Sequence, residues 1–365
     1  LELYDPDRST RYTKNGANLS KEEALDTLKN LKGAFSDSKG RGVAILTEKS
    51  SSPTRLRLKK AFQKAYPNAI WSEYEPIVTG NSKEAAALIA GENLEPKFDL
   101  TNAERILSIE GDFLGDNPGS LSMTKQFADG RRVLSAEDQM NRLYVAESGF
   151  SMTGAMADHR KRLASSHMTA LLAAAALEID LGVEGDALQP IFEKLASGLD
   201  SETKEWISEA MVDLDRFKGK SVVYAGPQLS KEAQGIALLI NEKLGNLGKT
   251  LKLVEVEEDN SASIQKLSEA IDSGSIETLI IAGGNPVYNA PADLDFGPKL
   301  GKVESVLRLG YYDDETSEKS NYHFVQSHYL EAWGDGRTYN GEILTQQPMI
   351  LPLFDGISEI EMLGR

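Results

Sequence analysis

The chain has 365 residues, no cysteine, 40% hydrophobic and 26% charged residues, and a net charge of −16 from 40 basic and 56 acidic side chains. Without thiolates it cannot ligate an iron–sulfur cluster in the usual way, and its acidic balance lacks the Lys/Arg clustering that attracts nucleic acid or anionic lipid. The length suits two or three domains, and the longest apolar helix candidate, Thr169 to Leu177, is well short of the ~20 residues of a membrane span.

Residues 1–42 read as an N-terminal arm and one helix. Ser20-Lys-Glu-Glu23 has capping-box spacing, and Leu25, Leu28 and Leu31 then form one apolar face. Val43-Ala-Ile-Leu46 reads as the first buried strand. Ser51-Ser-Pro53 opens a helix in the favoured order of cap then proline, and Pro67 closes it. A strand over Ala69–Tyr74 and a helix over Ser82–Ala90 follow. Two further strands, Arg105–Ile109 and Leu143–Ala146, flank a helix at Ser120–Ala128. Ser165–Ile179 is apolar on every side, as a buried helix is, and two amphipathic helices cover 184–195 and 201–217. The strand–helix alternation resumes at Lys220–Ala225, with strands at Leu251–Val256, Thr278–Ala282 and Ser305–Leu309.

This alternation implies an α/β fold of two Rossmann-like parallel-sheet domains related by a pseudo-two-fold, with a helical insertion. The expected divisions are 1–42 for the arm and helix, 43–218 for a first α/β domain with the insertion at about 165–217, 219–330 for a second, and 331–365 for a C-terminal wrapping segment.

One pattern occurs twice, at roughly 170-residue spacing. Arg105–Ile109 ends in Glu110-Gly-Asp112 and Asn117-Pro-Gly119, and Leu143–Ala146 ends in Glu147 and Thr153-Gly-Ala-Met-Ala-Asp-His159. Later, Thr278–Ala282 ends in Gly283-Gly-Asn-Pro286, and Ser305–Leu309 ends in Asp313-Asp-Glu-Thr316 and Ser320-Asn-Tyr-His323. Polar, glycine-rich loops at the carboxyl ends of buried strands are where open α/β sheets hold ligands. Gly111, Asp112, Glu147, Thr153, Gly284 and Asn285 are therefore the candidate site residues.

These motifs resemble the two pterin-contacting halves of the molybdopterin oxidoreductase superfamily. Tyr4-Asp-Pro-Asp-Arg8, Asp112-Phe-Leu-Gly-Asp-Asn-Pro-Gly119, Met140-Asn-Arg-Leu-Tyr144, Thr153-Gly-Ala-Met-Ala-Asp-His-Arg160 and Leu330-Glu-Ala-Trp-Gly-Asp-Gly-Arg337 are similar to the iron–sulfur subunit of bacterial alternative complex III. That resemblance implies a scaffold domain in a quinol-oxidising respiratory complex on the periplasmic side of the inner membrane. It also implies an export signal and an iron–sulfur cluster domain outside this sequence, and partner subunits that include a cytochrome and a quinol-binding membrane subunit. No direct membrane insertion and no nucleic-acid partner are expected.

The sequence departs from the pterin-binding pattern where phosphates are held. Glu147-Ser148 stands where the superfamily has an acidic residue followed by Pro-Arg, Lys161-Arg-Leu-Ala-Ser-Ser166 replaces a Pro-Gly-Thr-Asp run, and Phe113-Leu-Gly-Asp116 splits the first Gly/Asn loop. The six candidates are accordingly read as vestigial, with no cofactor, no metal and no catalytic residue in this chain. Asp112, Asp116 and Asn117 are expected to serve as local acceptors, and Arg131 and Arg160 as donors. A bis-molybdopterin guanine dinucleotide oxidoreductase domain is the alternative. His159, His167, His323 and His328 lack metal-ligand spacing and read as structural or contact residues. Tyr322–Tyr339, with His328, Trp333 and Arg337, has the composition of an interface anchor or of a cap on the core.

Overall fold

The apolar runs are strands, and their pairing decides how the chain divides. The computed structural model describes residues 2–77, 81–181, 183–257 and 260–365. Its strands, numbered along the chain, are β1 (Tyr12–Lys14), β2 (Ala17–Leu19), β3 (Val43–Thr47), β4 (Ile70–Glu73), β5 (Leu94–Phe98), β6 (Arg105–Ile109), β7 (Arg142–Glu147), β8 (His159–Arg162), β9 (Ser221–Ala225), β10 (Leu251–Glu255), β11 (Thr278–Ala282), β12 (Ser305–Gly310), β13 (Tyr322–Val325), β14 (Gly334–Arg337) and β15 (Ile343–Gln346).

One unit comprises residues 1–77 and 259–365. Its sheet runs β2-β1-β13-β12-β11-β3-β4, parallel from β13 to β4, with the β1–β2 hairpin antiparallel on β13. The strands read as near-continuous apolar runs because both faces are covered. Ile45, Leu307 and Phe324 pack with Leu28, Phe35 and Trp71 on one face, whereas Ala44, Leu279 and Ile281 pack with Ile264, Leu267 and Phe296 on the other.

The second unit comprises residues 78–258. It holds the parallel sheet β8-β7-β6-β9 and the separate antiparallel pair β5–β10. Leu107, Ile109, Tyr144 and Ala146 pack against the helix Met168–Leu177, which is buried almost throughout as its all-round apolar composition requires. The opposite face is covered by Phe113, Met123 and Phe127.

The α/β class and parallel sheets are those expected from the sequence. The contiguous division at 218/219 is corrected: β3 pairs with β11 from Val43↔Thr278 to Thr47↔Ala282, so the first βα unit belongs with the last three strands of its sheet. Each βαβ segment is legible locally, but which strands become neighbours is a long-range outcome. The insertion at about 165–217 lies in the second unit. The wrapping segment 331–365 contributes Phe354, Ile357 and Met362 to the core of the first. Both β8 (His-Arg-Lys-Arg) and β5, with Pro96 inside it, lack the apolar signal of a strand, and each lies at a sheet edge, where that is tolerated.

Candidate functional site

In the first unit β3 leads outward to β4 on one side, and β11 leads to β12 and β13 on the other. Their carboxyl ends therefore flank the point where the winding reverses, the usual ligand crevice of an open α/β sheet. A small, open crevice lies there, lined by residues that include Leu46, Thr47, Glu48, Tyr74, Gly283, Asn285 and Asn289. Gly283 and Gly284 hold φ of +79° and +65°, which L-residues rarely adopt. The Glu48 carboxylate lies over them: a Cβ at Gly283 would come within 2.8 Å of its Oε2. Burial, with Glu75 adding to it, raises the Glu48 carboxyl above its ordinary range despite the Gly284 backbone, Arg308 and Arg55.

Arg308 lies in the buried strand β12. Its guanidinium donates to Gly283 O at 2.8 Å, to Leu309 O at 2.7 Å, to Asp314 Oδ2 at 2.9 Å and to Gly284 O. Asp314 in turn caps the turn Glu315–Glu318, accepting from Ser317 N at 2.9 Å. Asn285 Oδ1 accepts from Thr316 Oγ1 at 2.6 Å, and the same hydroxyl accepts from Val287 N at 3.1 Å.

The second unit repeats this wiring. Asp112 Oδ1 accepts from Thr153 N and Oγ1 at 2.9 and 2.7 Å, and Thr153 Oγ1 accepts from Leu114 N at 3.0 Å. Ser151 caps the turn as Asp314 does, accepting from Gly154 N at 2.9 Å. Asp158 and Asn321 each return the chain to the adjacent strand: their side-chain oxygens accept from Leu143 N and Val306 N, both at 2.7 Å. The internal repeat read from the sequence is thus repeated hydrogen bonding at the loop threonine, the turn cap and the return to the adjacent strand.

The reversal point of this unit, between β6 and β9, is closed by protein. Gly226 N donates to Ile109 O at 2.9 Å, and the Gln228 side-chain amide donates to Glu110 O. Gly111 is packed so tightly that a Cβ would overlap the Tyr224 ring. Glu147 accepts from Ser151 Oγ and from Arg160 Nε, each at 2.5 Å, and Arg160 also reaches Gly149 O at 2.5 Å. Arg131 is taken by Asp158, at 2.9 and 2.6 Å. Burial opposes ionisation of Asp158, but Arg131 and the Leu143 amide outweigh it and hold the carboxyl below its usual range.

The structure gathers Gly111, Asp112, Glu147 and Thr153 at strand ends of one sheet, and Gly284 and Asn285 at those of the other. Asp112 and Arg160 act as the local acceptor and donor foreseen, and Asn117 accepts from Tyr224 OH at 3.4 Å. Sequence reasoning missed Glu48, Arg308 and Gln228. Arg308 was signalled by a lone cation inside an apolar strand, and Glu48 by its place directly after β3.

The histidines are spread apart. His323 is buried between Ser9 Oγ (2.6 Å) and Ser317 Oγ (2.9 Å), and burial lowers its pKa to about 4, so it is neutral at pH 7. His328 caps a turn, accepting from Leu330 N at 3.2 Å, and His159 stacks on Tyr144 at 4.9 Å. Among the described residues no group of three or more His, Cys, Asp or Glu is placed to hold a metal, and no helix is long and apolar enough to cross a membrane.

A dinucleotide pterin cofactor needs donors for its phosphates. The residues present do not fit it. The crevice of the first unit presents the Glu48 carboxylate over its glycines, and Arg308 and Arg160 are spent on carbonyls and carboxylates of their own loops.

No family model and no curated protein matches this sequence. Among solved structures, acetylene hydratase from Pelobacter acetylenicus is similar in fold over 99% of this chain, with a TM-score of 0.75 at 13% identity. The chain spans 61% of that protein's length. A formyltransferase/hydrolase complex (FhcABCD) from Methylorubrum extorquens, solved with methylofuran, is similar over 97% of this chain and 96% of that one, with a TM-score of 0.58 at 12% identity. At these identities the two likenesses show the fold alone.

Proposed function

We propose that this chain is a molybdopterin-oxidoreductase-like scaffold domain without a pterin cofactor, part of an iron–sulfur subunit in a quinol-oxidising respiratory complex. The observation that carries the reading is the state of the strand-end loops. Their acceptors and cations are consumed internally, and an acidic side chain lies where a phosphate would need donors. Electrons would pass from quinol at a membrane subunit, through clusters on another domain, to a cytochrome or other acceptor on the periplasmic side of the inner membrane. This domain would supply docking surface rather than a redox centre.

The alternative is a bis-molybdopterin guanine dinucleotide oxidoreductase domain that keeps its cofactor. The likeness in fold to acetylene hydratase is the observation behind it. Metal analysis of the full-length protein and of this chain, purified from the native host, separates the two. Iron confined to the full-length protein, with molybdenum and tungsten far below stoichiometric, supports the scaffold. Near-stoichiometric molybdenum or tungsten retained by this chain supports the alternative.

A further inference from the structure

We propose that β15 and the extended segment after it form an interface between two copies of this chain, by antiparallel pairing of their β15 edges about a two-fold axis. The proposal is independent of the scaffold reading and rests on residues of one unit. β14 and β15 make a separate two-stranded ribbon. Gly336 pairs with Leu344, and next to the turn Thr338 N donates to Glu342 O at 2.8 Å. Alternation along the ladder therefore points the N–H and C=O groups of Ile343 and Thr345 away from β14. Neither amide has a hydrogen-bond partner among the described residues. The far edge of β14 is covered, since Arg337 N donates to Ser51 O at 3.0 Å. The open edge of the ribbon is thus that of β15.

This edge is held in place and left bare. Asp335 of β14 accepts from Thr54 Oγ1 at 2.5 Å and from Ser52 Oγ, and the Gln346 side-chain amide donates to Tyr329 O at 2.6 Å. Met349 N and Leu353 N continue the attachment, on Leu330 O at 2.7 Å and Glu331 Oε1 at 2.8 Å. Met349, Leu351 and Leu353 are exposed, Leu351 by 86%, while Ile350 and Pro352 between them are half-buried. That is the period of two of an extended chain, with an apolar outer side. Ile343 and Leu344, on opposite faces of β15, are exposed as well. Other edge strands carry the usual protections: β8 reads His-Arg-Lys-Arg, and β5 holds Pro96 and Lys97. From Ile343 to Phe354 there is no charged side chain, in a chain that is 26% charged and carries −16. This neutrality points to the occupant. Across a two-fold, residues near the axis meet their own copies, and like charges placed opposite one another destabilise a strand pair. An acidic chain therefore pairs with itself best where it carries no charge. A partner of different sequence would be drawn by exposed carboxylates, and Ile343–Phe354 has none.

The test is sedimentation equilibrium of the full chain from about 1 to about 200 μM. A reversible monomer–dimer equilibrium is expected. Raising salt from about 0.05 to about 0.5 M should tighten it, because salt screens the repulsion between two acidic copies. Ile343→Lys combined with Leu351→Lys should weaken association more than about tenfold at an unchanged melting temperature. The chain has no cysteine of its own, so Thr345→Cys supplies a single thiol. A short bis-maleimide should link that variant into dimers, whereas Ser197→Cys, at an exposed position of the other unit, should stay unlinked. A parent that is monomeric over the whole range overturns the proposal and leaves the edge to a strand of another protein. A dimer that the two lysines leave unweakened, or that Ser197→Cys links as well as Thr345→Cys does, overturns it by placing the contact elsewhere.

Discussion

Thr153 and Thr316 occupy one position in two copies of a single motif. Each hydroxyl donates to a loop side chain, Asp112 at 2.7 Å or Asn285 at 2.6 Å, and accepts an amide two residues further on, from Leu114 at 3.0 Å or Val287 at 3.1 Å. Both threonines are fully buried. The motif therefore has a structural role in each unit, whatever the crevice beside it holds.

Replacing either threonine by valine keeps the shape but strands a backbone donor, Leu114 N or Val287 N, and takes one donor from the loop side chain, although Asp112 keeps the amide of residue 153. A loss of about 1–3 kcal/mol is expected for each variant. Denaturant unfolding checks this, and a loss below about 0.5 kcal/mol in both would mean that water or loop relaxation replaces the bonds.

Gly154 is required by contact rather than by conformation, since a Cβ there would overlap the Glu147 carboxylate that Arg160 holds. Gly154→Ala should cost about 1–3 kcal/mol through overpacking. Gly149→Ala, five residues earlier and with open space around it, should be near neutral. Equal melting temperatures for the two variants would contradict this.

Burial pushes the Glu359 carboxyl up to about 7 against the pull of Arg55, with Glu48 and Glu73 adding to the rise. The unfolded chain releases this proton near ~4.3, so the folded state holds it more tightly across the interval between. The resulting penalty on stability is absent below ~4.3, grows as pH rises, and is complete above about 7. Glu359→Gln should therefore gain stability relative to the parent on going from pH 5 to pH 8, by on the order of 1–3 kcal/mol. Urea midpoints at the two pH values measure it, and the same difference at both would refute the assignment.

The C-terminal segment divides into core and surface. Glu331 is paired with Arg8 at 2.8 Å, both side chains 1% exposed, and accepts from His328 N and Leu353 N at 2.7 and 2.8 Å. Trp333, two residues on, is 65% exposed. Arg8→Ala should destabilise the chain by about 3–5 kcal/mol, because it leaves Glu331 buried and unpaired. Trp333→Ala should stay within about 0.5 kcal/mol. A large loss of melting temperature for Trp333→Ala would make the tryptophan a cap on the core and remove it as an interface anchor.

What the sequence determined by itself was local. Apolar runs bounded by glycine and proline marked most of the buried strands, Ser20-Lys-Glu-Glu23 marked a helix start whose capping box is formed, and the recurring acidic, Asn and Thr pattern marked two copies of one loop system. These are legible because backbone geometry and burial on a single strand or turn constrain neighbouring residues directly. Only the tertiary structure decided that β3 lies beside β11, and so that Glu48 faces Gly283 and Gly284. It also set Arg308 on the carbonyls of a loop more than twenty residues earlier, and closed one reversal point with Gln228 while leaving the other open. Strand pairing is a choice among many similar apolar runs made by the packing of the whole sheet, and no local pattern encodes it.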